Sequence, residues 1–397
     1  MKICILTTSF PAHNGHHQSP FVFNFAKTLS EKVNVDIICP FYAESSDKEE
    51  RWGNLKIHRF RYLPSKMQTL ISGGGIPSNF KRSLLAKLQL PLLYLSMLFK
   101  SVKYVKECDI IHVQWSLTGL IGMVLKNMYK KPLILTERGS SLNEAMKFSV
   151  TRKVLTWILK SCDYITTNNF EQLRVINTLG FTKNIETIPN GIDVEKFSPQ
   201  DQIEIRQKLG LPLNRKIVLY VGWLIENKGI SSLLECCKMI TEIIPELLFL
   251  LVGEGIDKKN YMQYVVDNGL EGNVKFTGAQ KPASIPHYMN AADVLILPSF
   301  SEGRPNVVPE AMACGLPVIA TNVNGTPEFI KSGIDGVLVE PGKPECMKDE
   351  LLKLICDEKF YASIKEKCRS AVITNNLTWE NTADRYIRIY GKMLENV

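Results

Sequence analysis

Apolar runs of four to seven residues recur along the chain, separated by longer stretches whose apolar residues fall at helical spacing. In the first half the runs are 2–6, 35–39, 55–60, 109–113, 133–136, 164–167 and 185–189. In the second half they are 217–222, 247–253, 274–278, 294–298, 317–321 and 336–340. Short runs rich in Val, Ile and Leu read as strands buried on both faces. Their alternation with helical segments predicts an α/β protein of two parallel sheets covered by helices. The rhythm breaks at PNGIDVEKFSPQD, where Pro and Gly punctuate an otherwise structureless stretch. This places one domain over 1–192 and a second over 193–377. Residues Thr378–Asn396 predict a helix with Thr378 as N-cap and an apolar stripe at Trp379, Ala383, Tyr386, Ile387 and Tyr390. Residues 80–106 are apolar and basic; Lys100, Lys103 and Lys106 recur at helical spacing, and Pro91 should break or kink any helix there. A surface helix and an interfacial membrane contact both fit that segment.

Bulk composition narrows the picture. At 397 residues with 45% hydrophobic content, the chain can bury two cores. No uncharged apolar stretch is long enough to span a bilayer, and MKICILTTSF reads as a strand and loop rather than a signal peptide. None of the ten cysteines stands in a CxxC pair or a Cys/His metal spacing, so buried reduced thiols of a cytoplasmic protein are expected. The net charge of +8 is uneven: residues 1–190 hold 25 Lys and Arg against 13 Asp and Glu, the remainder 23 against 27. A basic first half is either a solvated face or an attractor for an anionic acceptor or an anionic membrane surface. No helix-turn-helix, RNP-like or aromatic-basic pattern accompanies it, so nucleic acid is not an expected partner.

The most informative segment is 299–328, SFSEGRPNVVPEAMACGLPVIATNVNGTPE, where Glu302 and Glu310 stand with seven residues between them. It leaves the strand at 294–298 and enters a helix predicted from Val307 to Cys314, stopped by Gly315 and Pro317. A strand feeding a helix through a polar loop is where α/β proteins bind ligands, and a helix start suits phosphate. Glu310, a turn into the helix, can accept from sugar or ribose hydroxyls; Glu302 sits in the loop.

This segment resembles the signature of glycosyltransferase family 4, the retaining nucleotide-sugar transferases. The resemblance extends through KICILTTSFPAHNG, DIIHVQW, LTERGS, IPNGID, VGWLIENKGI, LVGEG and VKFTG, in the family's order and over nearly the whole chain. It implies the GT-B fold, two Rossmann-like parallel-sheet domains facing a central cleft, with the last helix crossing back to the first domain. In the family the two acids hold the donor sugar and the ribose, which assigns those roles to Glu302 and Glu310. Asn306 and Val307 at the helix start should offer N–H groups to the diphosphate. A basic pair normally follows the first strand of the second domain; here Lys228 matches, while Trp223 stands where the arginine usually does. Arg304 could supply the missing charge. Gly253 matches a close backbone approach at a strand end, Phe276 frames the base, and Gly15 matches the loop that approaches the diphosphate from the first domain. Arg138 stands where many members have His; it cannot act as a base, but can bind hydroxyls, an acceptor anion or a phosphate. His112 reads as a structural polar residue at a strand end.

The expected activity is therefore hexose transfer from a nucleotide sugar to a glycan or lipid-linked acceptor in cell-surface polysaccharide synthesis. Catalysis would rest on Glu302, Lys228 and Arg138, with retention of configuration and no metal or other cofactor. His13, His16 and His17 lack the nearby acids that would support a metal reading. The expected location is cytoplasmic, with peripheral contact on the inner face of the membrane. Two alternatives stay open: a nucleotide-sugar 2-epimerase of the same fold, and a non-catalytic nucleotide-sugar binder.

Overall fold

A computed structural model describes residues 1–13, 19–45, 47–71, 76, 79, 83–138, 142, 146 and 148–395. The chain divides into two units, Met1–Gly191 with Trp379–Val397, and Ile192–Thr378.

In the first unit the apolar runs become strands β1 (Lys2–Leu6), β2 (Asn34–Pro40), β4 (Leu55–Phe60), β5 (Ile110–Gln114), β6 (Leu133–Glu137), β7 (Tyr164–Thr167) and β8 (Ile185–Thr187). They pair in parallel. A further strand, β3 (Glu49–Trp52), pairs antiparallel with β4, so this sheet is not purely parallel as the apolar rhythm suggests. The sequence EERW carries no apolar run, and it needs none: an edge strand with one solvated face can be charged. Its turn contains Gly53 at φ +64°. The order is β3-β4-β2-β1-β5-β6-β7-β8.

Helices cover both faces. On one side lie α1 (Pro20–Ser30) and the final helix α13 (Trp379–Glu395), whose Trp379, Ala383, Tyr386 and Tyr390 are buried in a core with Ile3, Ile5, Phe25 and Ile37. On the other lie α2 (Leu84–Val105), α3 (Gly119–Tyr129), α4 (Ser149–Ser161) and α5 (Phe170–Thr178), over a core with Leu6, Ile111, Val113 and Leu135. Of the break or kink expected at Pro91, the break does not occur: α2 runs through the proline. The Ser83 hydroxyl caps the first turn by accepting from the Ala86 N–H, and Leu93 and Met97, beyond the proline, are fully buried. Burial of one such side chain is worth roughly 1.5–3 kcal/mol, comparable with the roughly 3 kcal/mol a mid-helix proline costs.

The second unit contains α6 (Gln202–Leu209), β9 (Ile217–Val221), α7 (Ile230–Thr241), β10 (Leu248–Val252), α8 (Lys258–Asp267), β11 (Val274–Gly278) and α9 (Ile285–Ala291). It continues with β12 (Val294–Leu297), α10 (Val307–Ala313), β13 (Val318–Thr321), β14 (Val337–Val339), α11 (Pro344–Cys356) and α12 (Glu358–Thr374). Its six strands are all parallel, in the order β11-β10-β9-β12-β13-β14. From β9 the chain proceeds outward to β10 and β11, then returns to the other side of β9 as β12. The strand order therefore reverses between β9 and β12, and their carboxyl ends diverge into a crevice. All ten cysteines are free, seven of them buried, one half-buried and two exposed.

Candidate active site

The reversal point of the second sheet brings together residues that are far apart in the chain. The loop after β9 carries Trp223 and Lys228; the loop after β12 carries Glu302. Lys228 Nζ lies 2.7 Å from Glu302 Oε1. The Ser299 hydroxyl donates to the same oxygen at 2.6 Å, and Thr321 Oγ1 holds the Ser299 carbonyl at 2.6 Å. The two loops are also joined by their backbones, with Phe300 N donating to Asn227 O at 3.0 Å. Glu302 is thus fixed from three directions by β9, β12 and β13. Its side chain is 9% exposed and that of Lys228 22%, enough for a ligand to reach both.

Glycines set the next layer. A Cβ on Gly253 would stand 1.8 Å from Gly222 O, and one on Gly255 would stand 1.9 Å from Leu224 O. Only glycine permits this approach, which lets Gly222 N reach Val252 O at 3.0 Å and Leu224 N reach Glu254 O at 2.9 Å. The loop that presents Trp223 and Lys228 is therefore clamped to the loop after β10. Trp223 itself projects outward, 64% exposed, with the Tyr220 hydroxyl donating to its carbonyl at 2.8 Å. Phe276, on β11, packs half-buried against the core of the unit.

Asn306 and Val307 are the N-cap and first residue of α10, both half-buried. Glu310 lies in its first turn. Burial raises its carboxyl to about 7, and the Lys196 charge opposes that rise. Burial here outweighs the helix dipole, which favours an anion at this end. A carboxyl poised near neutrality at a strand-to-helix crevice is a mark of a functional position. Arg304 does not fill the place left by Trp223. Its guanidinium stacks 4.2 Å from the Phe329 ring centroid and lies 3.7 Å from Glu328 Oε2, with a side chain only 5% exposed. Arginine's planar fork favours such stacked, enclosed sites over a mobile one.

In the first unit, Arg138 follows β6. Its Nε donates to Gln114 Oε1 at 2.6 Å and its Nη1 to Asn190 Oδ1 at 2.6 Å, while the guanidinium lies 5.1 Å from the Phe21 ring centroid. Glu137 accepts from the Ser116 N–H and hydroxyl and from the Arg138 backbone N–H. Because arginine only donates, Gln114 must present its oxygen to Arg138 and its NH₂ to His112 Nε2, 3.1 Å away. The proton of neutral His112 then sits on Nδ1 and is donated to Tyr390 Oη at 2.6 Å. Burial, reinforced by the Arg138 charge, pulls the imidazole down to about 3, so it is neutral at ordinary pH. His112 is thus a structural link between Arg138 and the final helix. Gly15 lies outside the described residues. Among the described residues, no cluster of three His, Cys, Asp or Glu side chains is arranged to hold a metal ion.

Comparison with known proteins fits this layout. Residues 18–196 match the model of Glycosyltransferase Family 4, and residues 201–371 that of Glycosyl transferases group 1. The chain is a glycosyltransferase of the family 4 type. A curated relative of this glycosyltransferase is UDP-Gal:alpha-D-GlcNAc-diphosphoundecaprenol alpha-1,3-galactosyltransferase of Escherichia coli, 28% identical, with 81% of this chain and 84% of the relative covered. Among solved structures, sucrose-phosphate synthase from Thermosynechococcus elongatus superposes with a TM-score of 0.82 at 21% identity, covering 100% of both chains. Anabaena HepE in complex with UDP gives 0.76 at 20% identity, covering 99% of this chain and 100% of that one. The glycosyltransferase has the GT-B fold of these neighbours, two Rossmann-like α/β units.

Several residues of the site lie inside the motif blocks but received no role from the sequence. Ser299 and Asn324 are the main ones: Asn324 Oδ1 accepts from the Glu302 N–H at 3.2 Å and from the Ser301 hydroxyl at 3.3 Å. Asn324 has φ +42°, a conformation Asn tolerates well. Gln114 and Asn190, which aim Arg138, stand in DIIHVQW and IPNGID and likewise received no role, since each is a single polar residue at a strand end or turn.

Proposed function

We propose that this enzyme transfers a hexose from a nucleotide sugar to a lipid-linked or glycan acceptor, with retention of configuration and without a metal or other cofactor. The observation that carries the reading is the Lys228–Glu302 pair at the reversal point of the second sheet, in the loop that leads to α10, whose first turn holds Glu310 with its raised pKa. Breaking the anomeric C–O bond builds positive charge on the sugar and negative charge on the departing diphosphate. A fixed ammonium beside the phosphates stabilises the second without reorganisation, the role a divalent ion would otherwise fill. Glu302, oriented by Lys228 and Ser299, accepts from hydroxyls of the transferred sugar. Glu310 accepts from the ribose. The leaving phosphate takes the proton of the acceptor hydroxyl, which attacks from the same face and so retains configuration. Arg138, rigidly aimed by Gln114 and Asn190, binds sugar hydroxyls or an anionic group of donor or acceptor.

A lipid-linked acceptor is supported by the Escherichia coli relative, whose acceptor is a diphosphoundecaprenol-linked GlcNAc. The same relative likewise supports our reading of a role in cell-surface polysaccharide synthesis, carried out on the cytoplasmic side. Among the described residues no helix is long and apolar enough to cross a membrane. The test is a donor panel in which nucleoside diphosphate release is measured with and without EDTA, and the product anomer is read by NMR. Turnover that persists in chelator, with the anomeric configuration kept, is the expected result. Loss in EDTA restored by Mg²⁺ or Mn²⁺, an inverted anomer, or an epimerised donor without transfer would each overturn the assignment.

A further inference from the structure

The outer faces of α2, α3 and α4 play no part in the site described above. The three helices pack side by side over one face of the first sheet, α2 against α3 and α3 against α4. A helix on a sheet normally has one apolar stripe; α2 has two. Leu93, Met97 and Tyr104 face the core and are buried. On the opposite side Leu84, Leu88, Leu92, Leu95 and Phe99, all 42–74% exposed, recur every three or four residues. They form a continuous ridge roughly 22 Å long at about 1.5 Å per residue. On α4, Val150, Val154 and Trp157 repeat the pattern, with Trp157 56% exposed. Isolated exposed apolar residues need no explanation, but a contiguous set of this extent marks an interaction surface.

Charge decides what covers it. None of the three helices contains an Asp or Glu, while each carries Lys or Arg. On α4, Arg152, Lys153 and Lys160 join Trp157 and Leu179 around a shallow hollow of about 280 Å³. On α2, Lys87 and Lys103 stand exposed beside the ridge. A second copy of the chain is a poor partner, because a two-fold contact would set this cationic face against itself. A surface that is apolar below and anionic above fits both features. We propose that the outer face of α2–α4 seats the protein on an anionic bilayer. The α2 ridge and Trp157 lie at the acyl boundary, and the hollow on α4 takes a lipid phosphate. The chain lies on the membrane through this face rather than crossing it through these helices. This goes beyond the transfer reaction and rests on none of its residues.

The test is flotation of the full chain with vesicles of phosphatidylcholine alone, or of phosphatidylcholine and phosphatidylglycerol in a two-to-one mixture. Binding to the mixed vesicles is expected, at least about tenfold tighter than to neutral ones, since each basic residue near such a surface is worth about fivefold. Leu88→Asp with Leu95→Asp should abolish binding. Arg152→Glu with Lys153→Glu should weaken it by about 25-fold or more. These side chains are exposed, so melting temperature and circular dichroism should match wild type; if the first pair misfolds, the second still decides. Equal binding to neutral and mixed vesicles, wild-type binding by both variants, or no binding at all would overturn the proposal. So would a dimer that Leu88→Asp with Leu95→Asp dissolves while vesicle binding is absent. The assay reads binding without turnover, so its failure would count against this surface and leave the transferase reading intact.

Discussion

Replacing Lys228 tests the site most directly, because the structure gives its ammonium two separable jobs. One is to neutralise Glu302, 2.7 Å away. At an effective dielectric near 20 that attraction is roughly 6 kcal/mol before desolvation. With side chains 22% and 9% exposed, the pair lies between a surface bridge and a buried one, and its loss should cost about 1–3 kcal/mol of stability. The other job is to meet the charge growing on the diphosphate, where one preorganised donor is typically worth about 10²–10³ in rate. Lys228→Met should therefore lower kcat for nucleoside diphosphate release by about 10²–10³ while the fold survives. Glu302→Gln isolates the stability job: the double variant Lys228→Met, Glu302→Gln should recover melting temperature relative to Lys228→Met, because no unpaired carboxylate is left, while its turnover stays low since Glu302 itself serves the sugar. Nucleoside diphosphate affinity isolates the other job: if the cation serves the leaving group, Lys228→Met binds nucleoside diphosphate more weakly than wild type, whereas Glu302→Gln alone does not. A fall of less than about tenfold in kcat for Lys228→Met, or unchanged nucleoside diphosphate affinity in it, would show that the diphosphate lies elsewhere.

Glu310 carries a pH signature. Its folded pKa of about 7 lies above the ordinary carboxyl value, so its share of apoprotein stability is complete at acid pH and is lost as pH rises toward 7. The Glu310→Gln variant should therefore gain melting temperature on wild type as pH rises from 5 to about 8. Ribose hydroxyls favour the ionised carboxylate, so the ratio of wild-type to Glu310→Gln affinity for nucleoside diphosphate should climb through the same window; a flat ratio by calorimetry would contradict the ribose role. Trp223→Arg restores the cation usual in the family at an exposed loop position. It should tighten nucleoside diphosphate binding and keep activity; abolished turnover with the fold intact would show that the indole itself serves the donor.

The strands and their order of appearance were legible because a strand buried on both faces must be apolar throughout, and little else in this chain is. What failed were the places where tertiary context overrides local pattern. Strand β3 reads EERW, and its charges are tolerated because, among the described residues, only β4 pairs with it. A signal did exist: Gly53-Asn54 lies between EERW and LKIHRF, a two-residue hairpin turn between segments that pair. Pro91 reads as a break or a kink, yet α2 is not broken there, and the buried residues on either side of it hold the helix together. The tie between His112 and Tyr390 spans 278 residues and could not be read from either neighbourhood alone.

In the site, motif text located the residues but could not say which of them meet. Lys228 and Glu302 stand 74 residues apart, and only the reversal of strand order between β9 and β12 brings them together. The same limit explains Arg304. Two places after Glu302 in sequence, it looked able to replace the cation lost at Trp223. In a loop that turns back toward β13, however, that offset points it at Phe329 and Glu328 instead. Within the motif blocks of the second unit, the charge beside Glu302 therefore rests on Lys228. This is why a change at Lys228 should cost far more than Trp223→Ala, and why restoring an arginine at 223 should be additive with the wild-type lysine rather than a substitute for it. The two positions lie on one loop clamped by Gly253 and Gly255. An added guanidinium there would come to a backbone already fixed in place, so its effect on diphosphate binding would report charge and not a rearranged loop.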